Sequence, residues 1–390
     1  MEKAWRWFGE KDAIKLDMLR QIGVEAIVSA LHDIKNGEVW PLEAIADYKN
    51  YIESFGLRWS VVESLPVSES IKYAGDDRDL LIDNYIQSLE NLGKAGVKTV
   101  CYNFMPVLDW ARTDLYYQWE DGSSSLYFDK AKFAYFEIHI LGRIEAVNDY
   151  SEEILNKVKA IHSSITEKEK EDLIDTIIVK TQGFVNGNIK EGEQNPVEKF
   201  KSLLTLYKGI GKEQLRENMK YFLEKIMPIC EKWNIQMCVH PDDPPFSLLG
   251  LPRIVTCEDD IDWLLKAVDN PHNGLTFCTG SLSAGINNDV PKLAKKYASR
   301  TKFVHLRSTN ILENGDFVEA HHLEGRGKLI DVIKIFEIEN PGLPMRIDHG
   351  RLLTDDIGKN YNPGYSFLGR MLAFGQIHGV IETLKDDLEN

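Results

Sequence analysis

Four residues able to ligate a transition metal stand at matching places along this chain. His240, Cys278, His305 and Asp348 each close a short apolar run, and a loop follows each. Gln236–His240 leads into Pro241-Asp242-Asp243-Pro244-Pro245, and Gly274–Cys278 into Thr279-Gly280-Ser281; Lys302–His305 and Met345–Asp348 end likewise. Two imidazoles, a thiolate and a carboxylate form a complete ligand set for a divalent transition metal. The sulfur suits Zn²⁺ or Fe²⁺, whereas Mn²⁺ prefers harder oxygen donors. Each residue alone has an ordinary structural explanation: a buried thiol packs as a small hydrophobe, and an Asp after a strand caps a helix. Recurrence at one relative position argues for one shared site.

Those four can meet only if their runs lie side by side. Candidate strands Trp5–Phe8, Ala26–Ser29, Trp59–Glu63 and Thr99–Asn103 precede the four that end in ligands, making eight. Helical patterns alternate with them, as in βαβ units. In Gly211–Asn234 the residues Leu215, Met219, Phe222, Ile226, Ile229 and Trp233 share one face, and Asp12–Gly23 and Leu80–Gly96 are patterned similarly. Eight such units predict an α/β fold, a (β/α)₈ TIM barrel whose C-terminal strand ends share one mouth. Alternation then turns Cys238 and His240 inward and Met237 and Val239 toward the helices; Arg346 and Asp348 face in while Met345 and Ile347 face out. Cys238 is expected lower in the barrel, as packing. Between the fourth and fifth strands the chain is too long for one crossover. Val147–Ser163 and Glu167–Ile178 look helical, and Phe104–Tyr135 is rich in aromatics. The expected organisation is a single domain, 1–390, with a helical and aromatic insertion at about 104–210 covering the mouth. A small second domain is the alternative.

Polar residues gather at the same predicted strand ends: Arg6, His32, Glu63, Asn103, Arg307, His349 and Arg351. Such a ring suits a polyhydroxylated acid, with Arg on the carboxylate and amides or acids on hydroxyls. His321-His322, between Glu319 and Glu324, reads as a polar loop with at least one member exposed. No GxGxxG or Walker sequence is present. Lys plus Arg number 46 against 61 Asp plus Glu, a net charge of −15, which repels nucleic acid and anionic membranes. Five irregularly spaced cysteines do not form a disulfide framework. With no signal-like start and no apolar run of membrane-spanning length, the reading is a cytoplasmic protein with a small-molecule partner. Homo-oligomerisation stays open.

Several motifs resemble those of the mannonate dehydratase family. They are Trp5–Gly9, Ala30–Ile34 with Gly37–Trp40, Tyr102–Trp110, Cys238–Pro245, Phe277–Leu282, Phe303–Arg307 and Arg346–Gly350. Lys35, Ile347 and Arg351 depart from the family pattern, beside the ligand positions and not on them. The resemblance implies a barrel enzyme dehydrating D-mannonate to 2-keto-3-deoxy-D-gluconate in hexuronate breakdown. It implies Mn²⁺ or Fe²⁺ in place of zinc, with ligands at His240, Cys278, His305 and Asp348. For the acid and base which that reaction needs, the candidates are His349, beside Asp348 and titrating near neutrality, and Tyr365, which resembles the family's catalytic Tyr; from the polar ring, Arg6, His32, Asn103, Arg307 and Arg351 are the expected substrate contacts. The rival readings are a sugar isomerase or epimerase barrel, a DNA-repair barrel and a non-catalytic sugar-acid binding protein. Cys278 argues against the first and the net charge against the second; His349 and Tyr365 speak against the third.

Overall fold

The computed structural model describes residues 1–182, 189 and 192–389; part of the expected insertion, 183–188 and 190–191, lies outside the described residues. Among the described residues there are twelve strands: β1 (Glu2–Arg6), β2 (Ala26–Ser29), β3 (Arg58–Glu63), β4 (Thr99–Tyr102), β5 (Asp114–Gln118), β6 (Ser124–Phe128), β7 (Gln236–Val239), β8 (Asn273–Cys278), β9 (Thr301–Leu306), β10 (Thr309–Ile311), β11 (Phe317–Glu319) and β12 (Pro344–Ile347). Eight of them close a barrel in the order β1-β12-β9-β8-β7-β4-β3-β2, every pairing parallel. These are the eight runs expected from periodicity, displaced by at most a few residues. The largest displacement is at β1, where Trp7 and Phe8 already belong to the following loop.

Strand alternation sorts the core into two layers. Ala4, Ala26, Val28, Val61, Cys101, Cys238 and Phe303 form a compact cluster inside the barrel, so Cys238 packs as foreseen. Trp5, Ile27, Val62, Val100, Met237, Val239, Met345 and Ile347 join the layer between strands and helices. Helix Lys212–Trp233 buries Leu215, Met219, Phe222, Leu223, Ile226, Met227 and Cys230 against that layer. It stops at Asn234, whose left-handed backbone (φ 53°) turns the chain into β7.

The insertion is helical in part, with Glu152–Ser164, Glu167–Ile174 and Pro196–Thr205 among its helices. It also holds a hairpin that was not foreseen. Strands β5 and β6 join β10 and β11, which follow barrel strand β9, in a four-stranded sheet ordered β10-β11-β6-β5. This accessory sheet and the insertion helices share a second buried cluster, in which Phe128 stacks on Phe317 at 5.3 Å. No helix among the described residues is long and apolar enough to cross a membrane.

Candidate active site

The register of the barrel brings the proposed ligands level. Cys278 pairs with His305, and His305 with Arg346, across β8, β9 and β12. A nitrogen of His240, the sulfur of Cys278 and a nitrogen of His305 all lie within 4.8 Å of one another. The Nδ1 of His240 is 2.7 Å from the Pro241 carbonyl, which accepts its proton and leaves Nε2 as the ligating atom. The Nε2 of His305 is buried and makes no well-aligned hydrogen bond, with Glu63 Oε2 at 3.4 Å beside it. Burial opposes ionisation of the Cys278 thiol, but the His240 imidazole and the Arg307 guanidinium outweigh it and hold the thiol well below its ordinary range. Burial would lower His240 as well, yet the Cys278 sulfur pushes it up to about 10. A thiolate facing two imidazoles fits a soft or borderline divalent ion.

Asp348 flanks this trio. Its Oδ2 is 3.8 Å from the Cys278 sulfur, while Arg346 Nη1 donates to its Oδ1 at 2.6 Å and Arg307 Nε lies 3.2 Å from its Oδ2. Arg346 also donates to both oxygens of Glu63, at 2.8 and 2.9 Å, so the base of the site is a run of alternating charge.

Above it lies a cavity lined by Arg6, Glu63, Asn103, Asp109, Trp110, His240, Asp348, His349 and Tyr365, among others. Arg6 is buried, and its Nη1 has no hydrogen-bond partner. His349 and Tyr365 meet edge to face, ring centroids 5.1 Å apart, and Trp110 covers the other side of His349 at 4.9 Å. The Nδ1 of His349 is 2.8 Å from Glu319 Oε1. Burial raises the Tyr365 phenol well above its ordinary range, the nearby Arg346 only partly offsetting it.

Three expected substrate contacts sit elsewhere. Arg307 is buried behind the ligands, donating to Asp243 and Glu319 at 2.6 Å each and to Ser281 at 3.2 Å. A Cβ at Gly280 would fall 1.9 Å from its Nε, which explains the glycine after Cys278-Thr279. Arg351 does not line the cavity; it pairs with Asp121 at 2.5 Å and donates to Ser123 at 2.8 Å, both in the hairpin turn. His32 is exposed, its ring 6.0 Å from that of Phe8.

The polar loop expected around His321-His322 is exposed only in part: Glu324 faces solvent, but residues 319–322 are more enclosed. Glu319 is buried, ending β11, and its Oε1 accepts from Arg112 at 2.7 Å as well as from Arg307. Arg112 in turn grips both oxygens of Asp243, at 2.8 and 3.2 Å. His322 is buried too, its imidazole lowered to about 4 by burial, while His321 is half-buried. Arg112 had no signal in the sequence, because its partners Asp243 and Glu319 lie 131 and 207 residues away. Asp109, Trp110 and Asp243 lay within the quoted motifs without an assigned role.

A family model described as D-mannonate dehydratase (UxuA) matches residues 1–390. A mannonate dehydratase of Marinomonas sp. (strain MWYL1) is 45% identical over 398 residues, covering 100% of both chains. Another, of Saccharophagus degradans, is 42% identical across 99% of this chain and 98% of its own. The crystal structure of mannonate dehydratase from Streptococcus suis serotype 2 superposes with a TM-score of 0.80 at 32% identity, covering 100% of this chain and 96% of that one.

Proposed function

The chain belongs to the D-mannonate dehydratase family, and from that premise we propose which residues carry out its reaction, the metal-dependent loss of water from D-mannonate. The product is 2-keto-3-deoxy-D-gluconate. His240, Cys278 and His305, with Asp348 moving in as a fourth ligand, would hold Mn²⁺ or Fe²⁺. Such an ion supplies Lewis acidity where charge develops on the substrate carboxylate and 2-hydroxyl as C2 is deprotonated; several kcal/mol are needed, each ~1.4 being tenfold in rate.

Arg6 takes the substrate carboxylate, because it presents a buried donor with nothing yet to bind. Asn103, on the same wall, suits a hydroxyl. His349 is the base. The Glu319 carboxylate favours the tautomer with the proton on Nδ1, which leaves Nε2 bare. Arg307 Nη1 also lies 2.8 Å from Nδ1, but its proton has Glu319 to point to at 2.6 Å. Tyr365 is the acid: burial keeps its phenol protonated, ready to protonate the departing 3-hydroxyl. The observation that carries this reading is the pair of rings, one backed by a carboxylate and one kept neutral, meeting at 5.1 Å on the cavity wall.

In D₂O with D-mannonate and Mn²⁺, Tyr365→Phe is expected to lose most water elimination yet still exchange the C2 proton. His349→Ala is expected to lose both. The reverse pattern would swap the two roles.

A further inference from the structure

Arg370 sits in the first turn of the last helix (Phe367–Glu389), fully buried, with no carboxylate within ion-pair distance among the described residues. Both circumstances are unfavourable. A buried unpaired cation costs several kcal/mol, and a positive charge opposes the helix dipole at an N-terminus. Burial lowers its guanidinium to about 9. The compensation is a set of backbone carbonyls. Nε donates to Ser366 at 3.1 Å, Nη2 to Tyr365 at 3.0 Å and Nη1 to Arg6 at 3.1 Å, so one fork ties the Tyr365 loop to the end of β1. The guanidinium also lies 4.2 Å from the Trp5 ring and 5.1 Å from the Tyr365 ring.

Neighbouring glycines show that this approach is built in. A Cβ at Gly350 would fall 2.7 Å from Arg370 Cγ, and one at Gly369 would fall 1.7 Å from the Arg351 carbonyl. Only in their absence of side chains can the helix start press against the loop after β12.

We propose that Arg370 is a positioning residue of the dehydration: it fixes the Tyr365 phenol against strand β1, at a set distance from the carboxylate grip of Arg6. The proposal rests on the role given above to Tyr365. Arg370 itself makes no hydrogen bond or ring contact to His349 or the metal trio and reaches His349 only through Tyr365, so the proton transfer from the phenol responds to it more than the one at C2. Lysine cannot replace the fork, since a single ammonium cannot reach three divergent carbonyls from one stem.

The test is the partition between C2 proton exchange and water loss in D₂O. In Arg370→Lys, elimination is expected to slow about tenfold or more while exchange stays within about twofold of wild type. General damage to the fold would instead lower both rates in proportion, and that result, or no change in either, would overturn the proposal. Should Arg370→Lys not fold, Trp5→Phe, which shrinks the ring beneath the guanidinium and thins the packing on Phe367 and Phe374 without removing a charge, is expected to shift the partition in the same direction by a smaller factor; an unshifted partition there also overturns it. Tyr365→Phe serves as the reference. If it leaves the partition unchanged, the role of Tyr365 fails; if it shifts the partition and the Arg370 and Trp5 variants do not, only the present inference fails.

Discussion

The barrel floor and the accessory sheet both bury several charged groups, and they treat them in opposite ways. On the floor, His240, Cys278 and His305 converge so that an imidazole nitrogen of each His and the sulfur lie within 4.8 Å of one another. In the sheet region, Arg112, Asp243, Glu319 and Arg307 face one another so that each charge meets an opposite one within 3.3 Å. The first arrangement has valence to spare and can take a ligand. The second is closed, and what it can offer is a fixed shape, including the angle at which Glu319 meets His349.

Breaking the floor should have the largest effect. Cys278→Ser nearly keeps the volume but gives up the thiolate, so metal stoichiometry and turnover should fall together, turnover by on the order of a thousandfold. Inductively coupled plasma analysis beside a 2-keto acid assay checks this; full metal content with lost activity would move Cys278 out of the ligand set. His349→Ala, at the junction of the two regions, should cost ~10²–10⁴ in kcat while metal content stays near wild type. Loss of metal there would make His349 part of the floor.

Opening the closed network should act first on stability. Glu319→Gln leaves Arg112 and Arg307 short of a buried partner charge and should cost about 3–5 kcal/mol in chemical denaturation. Burial would raise the Glu319 carboxyl, but His349, Arg307 and Arg112 hold it at about 2, below its ordinary 4.5. Its stabilising contribution is therefore whole above about 4.5 and is lost as the pH falls toward 2. The variant should lack that part of the acid slope when melting temperatures are compared across this window. The smallest effect is expected at Arg351→Ala, since its partner Asp121 is half-exposed: kcat/KM within about twofold of wild type. A large rise in KM there would restore Arg351 to the substrate-binding ring.

How much of each region could be read from the sequence follows the same division. The floor is made by strands, where a period of two settles which side chains face inward, so His240, Cys278, His305 and Asp348 could be grouped before any coordinates. The sheet network is made by long-range pairing. Arg112 and Glu319 belong to segments with no common pattern, and Glu319 borders what reads as a polar loop with His321, His322 and Glu324. One signal was there to be used. Asp121-Gly122 between Tyr-rich alternating runs is a strong hairpin dipeptide, and Gly122 does adopt a positive φ of 81°. Reading it would have located β5 and β6 and drawn Asp121 toward Arg351. The accessory sheet as a whole would have stayed hidden, because half of it follows β9.

Ser124, opening β6, exchanges two backbone hydrogen bonds with Leu352, at 2.8 and 3.1 Å, and Leu352 belongs to the same loop as Tyr365. The hairpin and the segment that carries Tyr365 are thereby tied backbone to backbone. A shift of the hairpin is therefore passed along the backbone, through Leu352, toward Tyr365.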